Sequence, residues 1–185
     1  MSGRAAFLDR DGTLIEDVRY LARPDQVRVL DGVPAALRAL RDAGYRLVIV
    51  TNQSGVAHGY FSERDVADVH AHLQALLGLT FDAILVCPHH PDGTVPEYTR
   101  VCDCRKPASG LLKRAIADLD LDPGACFVVG DKGSDIEAGR RIGIPGYLVR
   151  TGHDTGRAEG TYADLAAVVA SRAAAPLTIE ERRPS

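Results

Sequence analysis

The sequence predicts an α/β fold: a Rossmann-like, doubly wound and mostly parallel sheet with helices on both faces. Three observations carry this. Short apolar runs recur along the chain, longer segments with helical spacing separate them, and the residues able to do chemistry gather where the runs end. Alternating β and α units of this kind build parallel sheets. Such sheets bind their ligands at the carboxyl ends of the strands.

Taken in order, Ala5–Asp9, Arg46–Thr51, Asp82–Cys87, Ala125–Gly130 and Gly146–Val149 read as strands. They are rich in β-branched residues and lack internal alternation, as strands buried on both faces do. Val33–Ala43, Ser62–Leu77, Ala108–Leu119 and Ser134–Ile142 show helical spacing between them. Gly44 suits a helix C-terminus, and Ser62 with Asp65 forms a weak N-terminal box. Thr161 to Ala175 supplies a last amphipathic helix, and Pro176–Ser185 is a polar, charged segment expected to be a loose tail. With no internal repeat and no Pro/Ser-rich linker, residues 1–175 are expected to form one domain.

A chain of 185 residues suits one sizeable core. The composition, 45% hydrophobic and 25% charged, is that of an ordinary soluble protein. A formal charge of −3 argues against nonspecific binding to nucleic acid or anionic membranes. A local basic cluster could still hold a small anion. No apolar stretch is long enough to span a bilayer. Met1-Ser2-Gly3-Arg4 leads directly into a strand, which leaves no room for a signal peptide, so a cytoplasmic location is expected. A domain of this size needs no partner to fold, and a monomer is expected.

Four segments at strand ends or helix starts carry the chemistry. Asp9-Arg10-Asp11-Gly12-Thr13 puts two carboxylates two residues apart, which on a strand point the same way with Arg10 turned aside. An EF-hand starting at Asp9 would need Gly at Leu14 and Glu at Tyr20, so that reading fails. A plain Asp/Gly turn remains open. Thr51-Asn52-Gln53-Ser54-Gly55 offers a hydroxyl and backbone N–H groups to phosphate oxygens, or is an ordinary polar turn. Arg105-Lys106-Pro107 supplies two cations, with Pro107 placed to start a helix, or is a solvated basic pair. Gly130-Asp131-Lys132-Gly133-Ser134-Asp135 returns carboxylates after another buried strand, or caps a helix. Each plain reading stands alone, but four such segments in this order predict one crevice.

The cysteines add a second feature. In a cytoplasmic protein, clustered cysteines bind metal or do redox chemistry more often than they form disulfides. Cys87-Pro88-His89-His90 and Cys102-Asp103-Cys104 bound a polar loop, and three thiols with one histidine fill a structural Zn²⁺ site. Unliganded thiols and a Cys102–Cys104 redox pair are the alternatives, and either His89 or His90 could be the fourth ligand. Because Lys106 follows Cys104 by two residues, a fixed loop would fix Arg105 and Lys106. Cys126 lies in an apolar run and reads as a small buried residue. His70 and His72 read as surface residues of their helix, and His58 and His153 lie in loops.

In these motifs the chain resembles the haloacid dehalogenase superfamily of phosphohydrolases: DxDGT at Asp9–Thr13, then Thr51, Lys106 and GDxxxD ending at Asp135. There is no GxxxxGK[ST] phosphate loop, which disfavours a P-loop nucleotidase. The resemblance implies that Asp9 is a nucleophile forming an aspartyl-phosphate and that Asp11 is the acid/base. It implies Mg²⁺ on the Asp9 carboxylate, the Asp11 carbonyl and the Asp131 carboxylate, with Asp135 orienting them and Thr51 and Lys106 on the phosphoryl oxygens. The C-x-H…C-x-C loop resembles a branch containing heptose-bisphosphate and histidinol-phosphate phosphatases, and the branch pattern selects His89 as the zinc ligand. The long loop between the ligand pairs favours heptose 1,7-bisphosphate, a small phosphorylated sugar, over histidinol phosphate. Substrate contacts carried across are Asp17, Val18, Arg19, Tyr20, Thr51, Asn52, Gln53, Ser54, Arg105, Lys106 and Lys132. Val18-Arg19 stands where the branch is expected to have a His-Gly pair, so Arg19 either meets the second phosphate or faces solvent.

Only 42 positions separate Asp9 from Thr51, too few for a large cap beside the expected helix, so a capless, water-accessible site is expected. The rivals from other classes are an inactive sugar-phosphate-binding protein and a zinc-stabilised interaction module. Mg²⁺-dependent phosphate release separates them from a phosphatase.

Overall fold

A computed structural model describes residues 2–152 and 161–174. Among them, β1 (Arg4–Leu8), β2 (Tyr45–Asn52), β3 (Ala83–Cys87), β4 (Phe127–Gly130), β5 (Gly146–Val149) and β6 (Thr161–Tyr162) form one sheet. Its order is β3-β2-β1-β4-β5-β6 and every pair is parallel. Helices α1 (Val33–Asp42), α2 (Glu63–Leu77), α3 (Gly110–Asp118), α4 (Gly133–Arg140) and α5 (Leu165–Ala174) cover both faces. This is the doubly wound fold expected from the alternation.

The two-residue period of the strands decides which helix each side chain meets. Ala5 and Phe7 of β1, with Val48 and Val50 of β2, pack in one core with Leu111, Leu112 and Ala115 of α3 and Ala138 of α4. Ala6 and Leu8, with Leu47 and Ile49, pack in the other with Leu37 of α1, Leu73 of α2 and Val168 of α5. Following the same period, position 9 faces α3 and α4, and position 10 faces α2. That parity later places two charges on opposite sides of the sheet.

Local signals set the helix ends. The Ser62 hydroxyl accepts from Asp65 N at 3.2 Å, and Asp65 Oδ2 accepts from Ser62 N at 2.7 Å, a reciprocal cap for α2. After α1, Gly44 takes a φ of 79°, which glycine adopts without a Cβ penalty.

Two boundaries differ from expectation. The chain from Thr161 begins as an edge strand on β5, and α5 starts only at Leu165, because Thr161 and Tyr162 satisfy their backbone on the sheet. Pro107 does not start α3. The chain first folds back on the cysteine loop, Gly110 N donating to Asp103 O at 2.9 Å, and the helix begins at Gly110. Residue 175, the expected tail 176–185 and His153 lie outside the described residues.

Between β1 and α1 the chain makes a small flap, closed by an antiparallel bridge between Ile15 and Val29. No cap domain interrupts the described residues, only this flap and the cysteine loop.

Candidate active site

The site lies where the strand order turns. β1 and β4 are neighbours from which successive connections leave in opposite directions, and the crevice above such a pair is where doubly wound sheets bind ligands. Asp9 follows β1 and Asp131 follows β4. Lys106, from the segment before α3, reaches in from the face that position 9 addresses. Its Nζ lies 2.9 Å from Asp9 Oδ1 and 2.6 Å from Asp135 Oδ1, and donates to Val50 O at 2.6 Å. Burial works against this charge, but the Asp135 and Asp9 carboxylates outweigh it and keep its pKa above the usual lysine value.

Asp9, Asp131 and Asp135 bring carboxylate oxygens within 4.8 Å of one another, all buried. Among the described residues, neither oxygen of Asp131 accepts a hydrogen bond, and Lys132 Nζ comes no closer than 3.9 Å. Burial first, then the Asp9 charge, push the Asp131 carboxyl up to about 7. Burial pushes Asp135 up to about 6, against the pull of Lys106. Three buried acids facing one buried ammonium leave a negative, oxygen-lined site, which fits a hard divalent cation. The walls are glycine for a steric reason. A Cβ at Gly12 (φ 76°) would lie 2.5 Å from Asp131 Oδ2, and one at Gly152 would collide with the same oxygen.

Asp11 does not point along Asp9. The strand ends at Leu8, the chain turns through Gly12, and Gly12 N donates to Ile15 O at 2.8 Å. The Asp11 carboxylate pairs instead with Arg10. Arg10 does turn aside, toward α2, but it is 1% exposed and bonded rather than idle. Its Nε and Nη2 donate to Asp11 Oδ2 and Oδ1 at 3.1 and 3.0 Å, and Nη2 also to Gln53 Oε1 at 3.0 Å. Gln53 Nε2 donates to Asp11 Oδ2 and to Thr51 Oγ1, both at 2.8 Å. His70 Nε2 faces Arg10 Nη1 at 3.4 Å. His70 is therefore buried, not a surface residue, because it lies on the side of α2 that covers position 10. Sequence reasoning missed Arg10 and His70; the one available signal was the parity of position 10.

A polar cavity of about 160 Å³ opens beside Arg10 and Asp11. Of the predicted contacts, Asp17, Arg19, Tyr20, Asn52, Gln53, Ser54 and Lys132 line it. Lys132 Nζ is 3.2 Å from Asp17 Oδ2, which ties the flap to the start of α4. Arg19 and Tyr20 adopt left-handed φ of 48° and 61°, a region that non-glycine residues rarely take. The other predicted contacts do not line this cavity. Thr51 and Lys106 are buried in the networks above, Val18 is solvent-exposed, and Arg105 donates to His89 O at 3.2 Å. Asn52 also fixes Lys106: its Nδ2 donates to Lys106 O and its Oδ1 accepts from Lys106 N, both at 3.1 Å. His58 stacks with Tyr60 and meets Tyr20 and His90 at the rim. A larger, apolar groove of about 330 Å³ runs along α2 and the edge strand β3 but holds none of the acidic cluster.

The second cluster gathers Cys87, His89, Cys102 and Cys104, whose ligand atoms lie within 4.8 Å of one another. Cys104 Sγ is 3.1 Å from Cys87 Sγ, 3.2 Å from Cys102 Sγ and 3.2 Å from His89 Nδ1. Tetrahedral zinc with Zn–S of ~2.3 Å implies S···S separations of ~3.8 Å, so a small outward relaxation accommodates the ion. His90 is engaged elsewhere, its Nδ1 accepting from Asp92 N at 3.1 Å. Burial first, then the Cys104 contact, push the Cys87 thiol upward, a cost that a coordinated cation reverses. Arg100 Nη2 lies 2.6 Å from His89 Nε2. A metal on Nδ1 leaves the proton on Nε2, so exposed Arg100 must then turn away. Cys126 is buried and accepts from Ala5 N at 3.3 Å.

A buried carboxylate after β1, a buried ammonium against it and an acidic cluster able to hold a hard cation, at the switch point of a parallel sheet, fit a phosphoryl-transfer enzyme class. Sequence comparison agrees. The HAD-hydrolase-like family model matches residues 103–175. A D-glycero-beta-D-manno-heptose-1,7-bisphosphate 7-phosphatase of Haemophilus ducreyi is 45% identical over 82% of this chain and 86% of its own. The D-glycero-alpha-D-manno-heptose-1,7-bisphosphate 7-phosphatase of Photorhabdus laumondii is 41% identical over 82% of this chain and 85% of its own. The crystal structure of D,D-heptose 1,7-bisphosphate phosphatase from B. bronchiseptica, complexed with magnesium and phosphate, superposes with a TM-score of 0.79 at 30% identity. It covers 93% of this chain and 98% of its own. The chain belongs to the haloacid-dehalogenase-like hydrolases, within the family of the heptose-1,7-bisphosphate 7-phosphatases.

Proposed function

We propose that the protein hydrolyses the 7-phosphate of D-glycero-D-manno-heptose 1,7-bisphosphate through an aspartyl-phosphate on Asp9, a step in making nucleotide-activated heptose. The observation that carries this is Lys106 Nζ at 2.9 Å from Asp9 Oδ1, both buried beside Asp131 and Asp135. Asp9 attacks phosphorus in line while Lys106 and the Thr51 hydroxyl take the spreading charge on the phosphoryl oxygens. Asp11 gives a proton to the departing sugar oxygen, then takes one from the water that attacks the aspartyl-phosphate. The second step releases inorganic phosphate and restores Asp9. Mg²⁺ would be held by the Asp9 and Asp131 carboxylates and the Asp11 carbonyl, and when bound supplies charge neutralisation at phosphorus.

Asp17, Val18, Arg19, Tyr20, Asn52, Gln53, Ser54, Arg105 and Lys132 bind the sugar and its remaining phosphate in this reading. Zn²⁺ on Cys87, His89, Cys102 and Cys104 fixes the approach of Arg105 and Lys106 without touching substrate. Residues 1–175 act as one domain, monomeric and cytoplasmic; no described helix is long and apolar enough to cross a membrane. Relatives acting on both anomers match this chain comparably, so identity leaves the anomer open to assay.

The test is phosphate release from both anomers of heptose 1,7-bisphosphate beside histidinol phosphate, with and without Mg²⁺. The proposal expects release from heptose bisphosphate, dependence on Mg²⁺, and a loss of ~10³-fold or more in Asp9→Asn. Equal or better turnover of histidinol phosphate would overturn the heptose assignment. Absence of release from every ester would favour the interaction module.

A further inference from the structure

Arg10 is a fully buried cation whose charge partner is the carboxylate that the mechanism uses for proton transfer. Four of its five N–H groups are engaged: two on Asp11, one on Gln53 and one facing His70. Guanidinium only donates, so the Gln53 side chain must present Oε1 to Arg10. Its Nε2 is thereby turned toward Asp11 and Thr51, each 2.8 Å away. A Thr51 oxygen that accepts from Gln53 keeps its own hydrogen for another acceptor, and a phosphoryl oxygen is the acceptor the reaction brings.

We propose that Arg10 and Gln53 are positioning residues. Arg10 aims the Asp11 carboxylate, and through Gln53 it sets the Thr51 hydroxyl as a donor, so that both ends of the breaking P–O bond are addressed from one buried cation. This rests on the roles given to Asp9 and Asp11 above. Arg10 makes no contact with the acidic cluster that would hold metal, and it acts from the α2 side of the sheet. The reach is effective because β1 has ended at Leu8 and the Asp11 carboxylate lies against the guanidinium at 2.9 Å.

The leaving group supplies the test. kcat/KM covers events up to its departure. A sugar alkoxide needs a proton as it leaves, and p-nitrophenolate does not. Arg10→Lys keeps the charge but loses the fork that holds both oxygens of Asp11. It is expected to lower kcat/KM for heptose bisphosphate ~10²-fold, and for p-nitrophenyl phosphate less than ~10-fold. In an Asp11→Asn background, Arg10→Lys should cost the sugar phosphate no more than it costs p-nitrophenyl phosphate, less than ~10-fold. Equal losses on the two esters, or full losses added on Asp11→Asn, would show a merely structural Arg10 and overturn the proposal.

Gln53→Glu carries the test if Arg10→Lys does not fold. A carboxylate accepts where Gln53 donated, so Thr51 turns its hydrogen inward and both esters should lose ~10-fold or more in kcat/KM. Wild-type kinetics in Gln53→Glu would overturn the Thr51 half. Undiminished sugar-phosphate kcat/KM in Asp11→Asn is a different failure: it removes the acid assignment and this inference with it.

Discussion

Both carboxylate oxygens of Asp131 are buried without a hydrogen-bond donor among the described residues, beside Asp9 and Asp135. Such a group is kept at a cost to stability, since like charges repel and burial disfavours each of them. Asp131→Asn should therefore stabilise the metal-free protein by ~1–2 kcal/mol, roughly 2–8 °C in Tm, while activity falls ~10²-fold or more. Differential scanning calorimetry in EDTA, beside a phosphate-release assay, checks both halves. His70 gives the pH prediction. Burial first, then Arg10, hold its imidazole down to about 3, against an ordinary 6.5. A depressed folded-state pKa means the unfolded chain binds the extra proton, so the stability from neutral His70 is present above ~6.5 and lost as pH falls toward ~3. His70→Gln should remove about one proton from the pH dependence of unfolding between pH 7 and 5, read from urea midpoints. An unchanged slope would mean that His70 is already charged in the fold. Neither residue's environment was legible in sequence, because burial at positions 131 and 70 depends on which elements lie above them.

At the level of elements, α2 and the cysteine loop make opposite kinds of prediction. The Ser62–Asp65 cap was legible, since both halves are local: a hydroxyl and a carboxylate three residues apart. Ser62→Ala should cost ~1 kcal/mol in urea unfolding and leave kcat alone, because the cap lies at an exposed helix end. The loop should behave differently. Its proposed metal ligands precede Lys106, Asn52 clamps the Lys106 backbone from β2, and Arg105 bonds the His89 carbonyl. Stripping zinc with a chelator, or Cys102→Ser, is expected to lower Tm and to reduce kcat ~10-fold or more, with Zn²⁺ restoring the chelated protein. The missed boundaries at Pro107 and Thr161 have one cause. In each, a contact made across the molecule overrode a good local signal, Asp103 O holding Gly110 and β5 pairing with Thr161.

At the scale of the whole molecule, the strand order β3-β2-β1-β4-β5-β6 converts four separate segments into one site, because the ends of β1 and β4 meet where the winding reverses. The sequence by itself determined the alternation of strands and helices, the acids at the strand ends and the cysteine pairs. Each of these is a matter of residue type and short spacing, which the chain carries unfolded or folded. Only the tertiary structure decided how charges 97 residues apart, Asp9 and Lys106, become partners at 2.9 Å. It alone gathered Cys87, His89, Cys102 and Cys104 into one cluster able to hold a metal. It also decided that Asp11 turns from Asp9 to Arg10. Strand parity sent Arg10 toward α2, but the Asp11 carboxylate follows it because the strand has ended at Leu8, and past a strand's end a sequence has no period to display where a side chain turns.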